Sequence, residues 1–380
     1  MNLFSETENS LDFPTEYNSI LDRINKVHPV KYAKTRNFIN GDVTYLSPYI
    51  SRGIISSKQV LDAILAKGYK TYEIEKFIQE LAWREYFQRV WQEIGNDIWA
   101  DIKHPQPDYV HSKMLTAINN STTGIEAIDD KINELYETGY MHNHIRMYIA
   151  SITCNVGKAH WLQPATWLYY NLLDGDMASN NCSWQWTAGS FSSKKYYCNQ
   201  ENINKYTFSK QLKTFMDKPY EVIEEMPIPN VLTETSILNL KTILPKTDLP
   251  NIDTTKQTLI YNSYNLDLNW RKNDDVNRIL LLEPSHFEKY PVSEKVINFV
   301  IALSKNIEGI QIYVGELHEI TNLYNNTDLS KNCIVSKEHP LFKHYKGIKD
   351  DRIWMFPSVT GYHNSFFSYW KKCERVLKQR

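Results

Sequence analysis

Residues 172–197 read LLDGDMASNNCSWQWTAGSFSSKKYY. Asp174-Gly175-Asp176, the doublet Asn180-Asn181 and Trp184-Gln185-Trp186 crowd into thirteen residues of it. Carboxylates, amides and indoles at that density are costly to bury unless each finds a partner. Two Asp in a glycine turn can hold a cation, but DGD without further acidic ligands is too poor for a calcium loop. A ligand rich in donors and acceptors is the simplest partner.

Two clusters upstream share this character. In TGYMHNHIRMYIAS (138–151), a helix opening at Gly139 would carry Asn143 and Met147 one turn apart, with Arg146 adjacent. An amide, a thioether and a cation suit a planar heteroaromatic ligand with hydrogen-bonding edges; a helix cap and a core Met would also explain them. His142 and His144, two residues apart, do not share a helix face, which argues against a metal pair. In ELAWREYF (80–87), Glu80, Trp83 and Arg84 fall at i, i+3 and i+4 on one face. A surface ion pair beside a half-buried Trp accounts for that trio alone.

Outward from these clusters the chain divides. TYEIEKFIQELAWREYFQRVWQEI (71–94), GIEAIDDKINELYETG (124–139) and MHNHIRMYIASITCNV (141–156) carry the three-and-four spacing of amphipathic helices. We expect a helical domain over 14–215. Residues 216–255, with MPIP, an isolated ILNLKTIL and LPKTDLP, read as a linker. From 256 to 380 the period changes: TLIYNSYNL, NRILLLEP, GIQIYVGEL, NCIVSKEH and RIWMFPS are short apolar runs between polar turns, with the helix SEKVINFVIALSKNI among them. Strands alternating with helices predict a small Rossmann-like parallel α/β domain.

Composition sets outer bounds. The 380 residues suffice for two domains with a core, and 42% hydrophobic with 23% charged is ordinary for a soluble protein. Ten Trp and 25 Tyr suit either a ring-packed core or stacking and electron-transfer duty. A net charge of −1 argues against a generically basic nucleic-acid binder. Phosphate contact would have to come from a local patch such as Lys194, Lys195, Lys205, Lys210 and Lys213. The opening MNLFSETENSLDF has no leader pattern, and no apolar run reaches the ~20 residues of a membrane span. Five scattered cysteines without a C-x-x-C indicate neither zinc ribbon nor disulfide framework, and fit a reduced cytoplasm.

Taken together, YLSPYISRGIIS, ELAWREYF, TGYMHNHIRM and DGDMASNNCSWQW resemble, in the family's order, the four signature segments of the FAD-binding domain of the cryptochrome/photolyase family. The spacing from Asn143 to Asp174 and Trp184 matches as well, and the resemblance spans about residues 30 to 200. It implies bound FAD, with Tyr32, Thr44, Leu46 and Ser47 on its pyrophosphate and adenosine side and Arg84 nearby. By the same resemblance, Arg146 and Asp174 would pair against the isoalloxazine, Asp176 would reach its polar edge and Asn180 would face N5. Glu80, Trp83, Asn143, Met147 and Trp186 would line a pocket for a flipped-out dimer. Asn143 and Met147, where enzymes for (6-4) lesions place histidines, point to cyclobutane pyrimidine dimers.

The implied function is a deoxyribodipyrimidine photolyase, in which light-driven electron transfer from reduced FAD splits the dimer. UV-damaged DNA, double- or single-stranded, would be its partner, and the protein a monomer. A cryptochrome-like photoreceptor is the alternative, and a flavin-free nucleic-acid-binding relic a third reading, at odds with the intact Arg146/Asp174/Asn180 set. Trp184 and Trp161 fall where the family's electron relay stands; the third position lands near Tyr109, with Trp99 displaced. Compared with the family, Tyr45 replaces the phosphate-loop Arg, so the pyrophosphate grip would differ, Tyr140 replaces a common Trp and His144 an Arg; after WQWTAG, SSKKYYCNQENINKY stands where an Arg-containing segment is usual, and the DNA-phosphate role is expected to pass to Lys194 and Lys195. Family members place the α/β domain first, so the order here resembles a circular permutation, and no residue set in that domain specifies an antenna chromophore.

Overall fold

The computed structural model describes residues 11–325 and 332–379, so the opening stretch up to residue 10 lies outside the described residues. Helices dominate the first half: α1 (Tyr17–Asn25), α2 (Pro29–Thr35), α3 (Ser47–Ser51), α4 (Ser57–Leu65), α5 (Glu75–Ile94), α6 (Thr116–Asn119), α7 (Glu126–Thr138), α8 (Asn143–Ser151), α9 (Leu162–Asn171), α10 (Met177–Ala188) and α11 (Gln200–Thr207). The short strand β1 (Met114–Leu115) pairs antiparallel with β2 (Thr235–Ser236), which lies beyond α12 (Tyr220–Glu225). The stretch expected to be a linker is thus tied to the helical body. It is also tied to the second half, where Thr242 Oγ1 accepts from the Val292 amide at 2.8 Å.

The second half is a parallel sheet of β3 (Thr258–Tyr261), β4 (Asn277–Leu282), β5 (Ile310–Val314), β6 (Ile334–Lys337) and β7 (Ile348–Asp350), ordered β5-β4-β3-β6-β7. Around it lie α13 (Pro284–Lys289), α14 (Glu294–Ser304), α15 (Leu317–Asn322) and the C-terminal α16 (Phe366–Leu377). The order reverses between β3 and β6, the place where open α/β sheets form a crevice at their carboxyl ends. Four expected strands appear where the apolar runs fall. The fifth does not: RIWMFPS is irregular, and β7 lies just upstream. Trp354 is instead drawn between two guanidiniums, with Arg89 3.5 Å and Arg352 4.7 Å from its ring.

Two helix expectations need correction. Gly139 does not open a helix; it closes α7 in the left-handed region (φ 73°), and His142 caps α8. A side chain at Gly139 would also collide with Leu173, whose Cγ would lie 2.7 Å from its Cβ. α5 is not a one-faced helix: Glu85 through Trp91 are all buried, because α10 packs on one side and α16 on another. The halves meet tightly. Buried Arg52 donates to the carbonyls of Leu173 (2.9 Å), Leu172 (3.4 Å) and Ser263 (3.4 Å), and Tyr169 and Tyr264 share a 2.6 Å hydroxyl contact.

Candidate active site

The turn before α10 organises the site. Asp176 is the N-cap, its Oδ1 accepting from the Ser179 amide at 2.8 Å. Its Oδ2 accepts from Arg84 at 3.0 Å and Gln88 at 2.6 Å, both on α5. Asp174 pairs with Arg146 of α8, whose Nη2 lies 3.0 and 2.9 Å from the two carboxylate oxygens. Ser51 joins the pairs, donating to the Asp174 carbonyl at 2.9 Å and accepting from Arg84 at 3.2 Å. The three clusters singled out in the sequence therefore converge on one turn.

Around this turn stands a wall of tyrosines. Tyr45, at φ 53°, packs its ring 5.3 Å from Tyr140, and the Arg146 guanidinium lies 5.7 Å from the Tyr140 ring. Burial pushes the Tyr140 hydroxyl far up, with Asp174, Tyr45 and Tyr32 adding and Arg146 opposing. Burial raises Tyr32 too, and the Glu80 carboxylate adds to it. Tyr32 packs edge-on against Phe77 at 5.3 Å. Glu80 Oε1 meets Lys76 at 2.8 Å and Arg36 at 3.4 Å.

The remaining expected residues are placed unevenly. Leu46 is a core residue and Ser47 begins α3. Thr44, whose Oγ1 accepts from the Leu46 amide at 3.4 Å, opens with Asp42 and Arg23 onto a separate 460 Å³ recess. Asn180 commits its amide nitrogen to the Ala165 carbonyl at 2.9 Å and to Asn181 at 3.3 Å. Trp83 lies face to face with Phe366 of α16 (3.9 Å, 9°), so one face of its ring is already covered. Asn143 is exposed and Met147 half-buried. Trp186 is 38% exposed and rests 5.8 Å from Tyr196. Trp184 and Trp161 are buried, while Tyr109 is exposed and meets His160, not Trp161, at 4.9 Å. Lys195 is tied to Asp108 at 2.7 Å, and Lys194 is exposed. His144, standing in for an arginine, is turned inward between Tyr148 and Tyr206. Burial brings it and His142 each to about 4.

Sequence reasoning missed Gln88 and Arg352. Arg352 donates to Gln88 Oε1 at 2.6 Å and to Glu338 at 2.8 Å, extending the Asp176 network into the second half. Gln88 sits at i+4 from Arg84 and was findable; Arg352 had no sequence signal. Also unforeseen is an 820 Å³ cavity at the carboxyl ends of β3 and β6, lined by Asn262, Asn265, Lys337 and Arg352 and, across the interface, by Arg84 and Asp176.

The chain is similar to known proteins over part of its length. Residues 77–220 match the model of the FAD binding domain of DNA photolyase. The chain is 31% identical over 165 residues to a deoxyribodipyrimidine photo-lyase of Agrobacterium fabrum, an alignment covering 42% of this chain and 34% of that one. It is 33% identical over 172 residues to a cryptochrome DASH of Danio rerio, covering 42% and 32%. A solved Synechocystis cryptochrome aligns with a TM-score of 0.47 at 24% identity, covering 52% of this chain and 44% of that one. The chain spans about a third of the length of the curated relatives it matches. Among the described residues no helix is long and apolar enough to cross a membrane, and no cluster of three or more His, Cys, Asp or Glu is placed to hold a metal.

Proposed function

We propose, from the match of residues 77–220 to the FAD binding domain of DNA photolyase, that this protein is a light-driven lyase acting on cyclobutane pyrimidine dimers in DNA. The observation that carries the reading is the paired lock on the α10 turn, Arg146 on Asp174 and Arg84 on Asp176, facing the Tyr32, Tyr45 and Tyr140 wall. The donor set suits a flavin. Because the Asn180 amide nitrogen is spent on protein carbonyls, its Oδ1 is the atom left to accept from a ring N–H. Arg146, half-buried and balanced by Asp174, offers cationic character to an electron-rich ring without leaving a lone buried charge.

When bound, FAD supplies light absorption and the electron that splits the dimer. The protein's own part is placement. Glu80, with Oε1 already anchored by Lys76 and Arg36, presents a fixed carboxylate to the edge of a flipped base and favours charge developing there. Asn143, exposed at the start of α8, Met147, half-buried one turn on, and Trp186, 38% exposed on α10, would line the entry of a flipped pair. Trp83, half-buried against Phe366 and with Tyr86 and Phe87 at 5.8 and 5.4 Å, would offer the part of its ring still accessible to the apolar side of the dimer.

The domain division 14–215, 216–255 and 256–380 belongs to the same reading, as does a circularly permuted order with the α/β unit second. That order rests on the sequence of the two halves and on the buried Arg52 joint between them. A cryptochrome-like photoreceptor is the second reading, favoured by the similarity to cryptochrome DASH. Illumination of purified flavin-loaded protein with dimer-containing DNA separates the two. We expect repair by the native protein and a loss of about a hundredfold in Glu80→Ala and Asn143→Ala. Flavin photochemistry without repair would favour the photoreceptor.

A further inference from the structure

Trp161 is fully buried at the start of α9, and its indole N–H donates to Asp101 Oδ1 at 2.7 Å. A carbonyl would satisfy a buried indole equally well; here the acceptor is a carboxylate brought in from sixty residues away. It is held in place on its other side, where Oδ2 accepts from the Gln106 amide at 2.8 Å. Gln106 in turn accepts from the Trp161 amide at 2.8 Å, so carboxylate and ring are fixed to each other twice. His160 Nε2 stands 3.5 Å from the same Oδ1, and both side chains reach solvent, at 18% and 20% exposure. Beyond His160 lies Tyr109, 45% exposed.

We infer that Asp101 is the proton acceptor that makes Trp161 a one-way electron donor. This rests on the reading that Trp184 and Trp161 relay electrons to a bound flavin, the oxidant being that flavin in its photoexcited oxidised state. Trp161 gives up one electron inward through Trp184. Its Nε1–H bond breaks and an O–H bond forms on Asp101 Oδ1, leaving a neutral tryptophanyl radical beside a neutral carboxylic acid. The pair goes from net −1 to 0, balancing the departed electron. Return of that electron then requires the proton to move back, while His160 offers the acid a route to solvent. The arrangement places charge separation and proton transfer within a single hydrogen bond, which suits rapid transfer to a positioned base.

Transient absorption after flash excitation of the flavin-loaded protein distinguishes the protonated radical from the deprotonated one. We expect the native protein to form the deprotonated radical, more slowly in D2O than in H2O. In Asp101→Asn, which keeps an oxygen for the indole N–H but a far weaker base, deprotonation slows by roughly a hundredfold, the low end of what a positioned proton acceptor contributes. Deprotonation at the native rate in Asp101→Asn, or no isotope effect in the native protein, overturns the inference; the second measurement holds even if the variant fails to fold. Trp161→Phe is the separate control: undiminished flavin photoreduction removes the relay itself and overturns the inference together with the reading beneath it.

Discussion

At the residue scale, the buried histidines report how the polar interior is balanced. Burial brings His142 and His286 to about 4, with His144 lowering His142 further. An unfolded histidine titrates near 6.5, so between those values the unfolded chain binds more protons than the folded one. Stability is therefore full above pH 6.5, falls as pH drops toward 4, and levels off below it. The ceiling is about 3 kcal/mol for each residue. Urea unfolding at pH 7 and pH 4.5 should show this loss, and His142→Asn with His286→Gln should reduce it, the rest coming from the other buried histidines such as His144 and His339; a pH-independent midpoint in the native protein would refute the assignment. Residue identity was the most legible level of the sequence. Asp174 and Asp176 stood out by local density and Arg84 and Arg146 by helical spacing, with their flavin roles coming from the family resemblance, and the structure brings all four to one turn. Their partners across the chain were not legible, since nothing near Arg352 announces Gln88.

At the element scale, α5 shows where periodicity stops being informative. Its apolar residues follow helical spacing, but spacing cannot reveal that a second layer covers the polar face. Glu85 is enclosed by the amides of Met355 and Phe356 and the hydroxyl of Tyr369, and burial raises its pKa against those hydrogen bonds. RIWMFPS misled for the same reason: an apolar, β-branched run looks like a strand until Trp354 is claimed by two arginines. Strands form where turns bound the apolar runs on both sides. The Phe366–Trp83 stack gives a prediction at this level. Phe366→Ala should cost about 3–5 kcal/mol in chemical unfolding, as large-to-small changes in packed aromatic sites do. It should also leave Trp83 more exposed, seen as red-shifted emission lost in the Trp83→Phe background. Phe366→Tyr should retain most of the stability. A stable Phe366→Ala protein with native emission would mean that α16 does not set the ring.

At the scale of the whole molecule, charge and connectivity matter more than any one contact. With a net charge of −1, the proposed DNA binding would have no general electrostatic pull behind it, so it should depend on few phosphate contacts and respond weakly to salt. Lys195 is already engaged with Asp108; Lys194 is the freer of the two. Replacing both by Ala should flatten the log–log salt dependence of damaged-DNA binding by about 0.9 if one lysine meets phosphate and twice that if both do. An unchanged slope would relocate the phosphate contact. Connectivity has a further consequence through Arg52. Its guanidinium is satisfied by carbonyls 120, 121 and 211 residues downstream. At a synthesis rate of roughly 5–20 residues per second, the last of these partners is added some 10–40 s after Arg52 itself. For that interval Arg52 can rest only on the Leu172 and Leu173 carbonyls of the helical half and on water, so the arrival of Ser263 is the event that seals the joint.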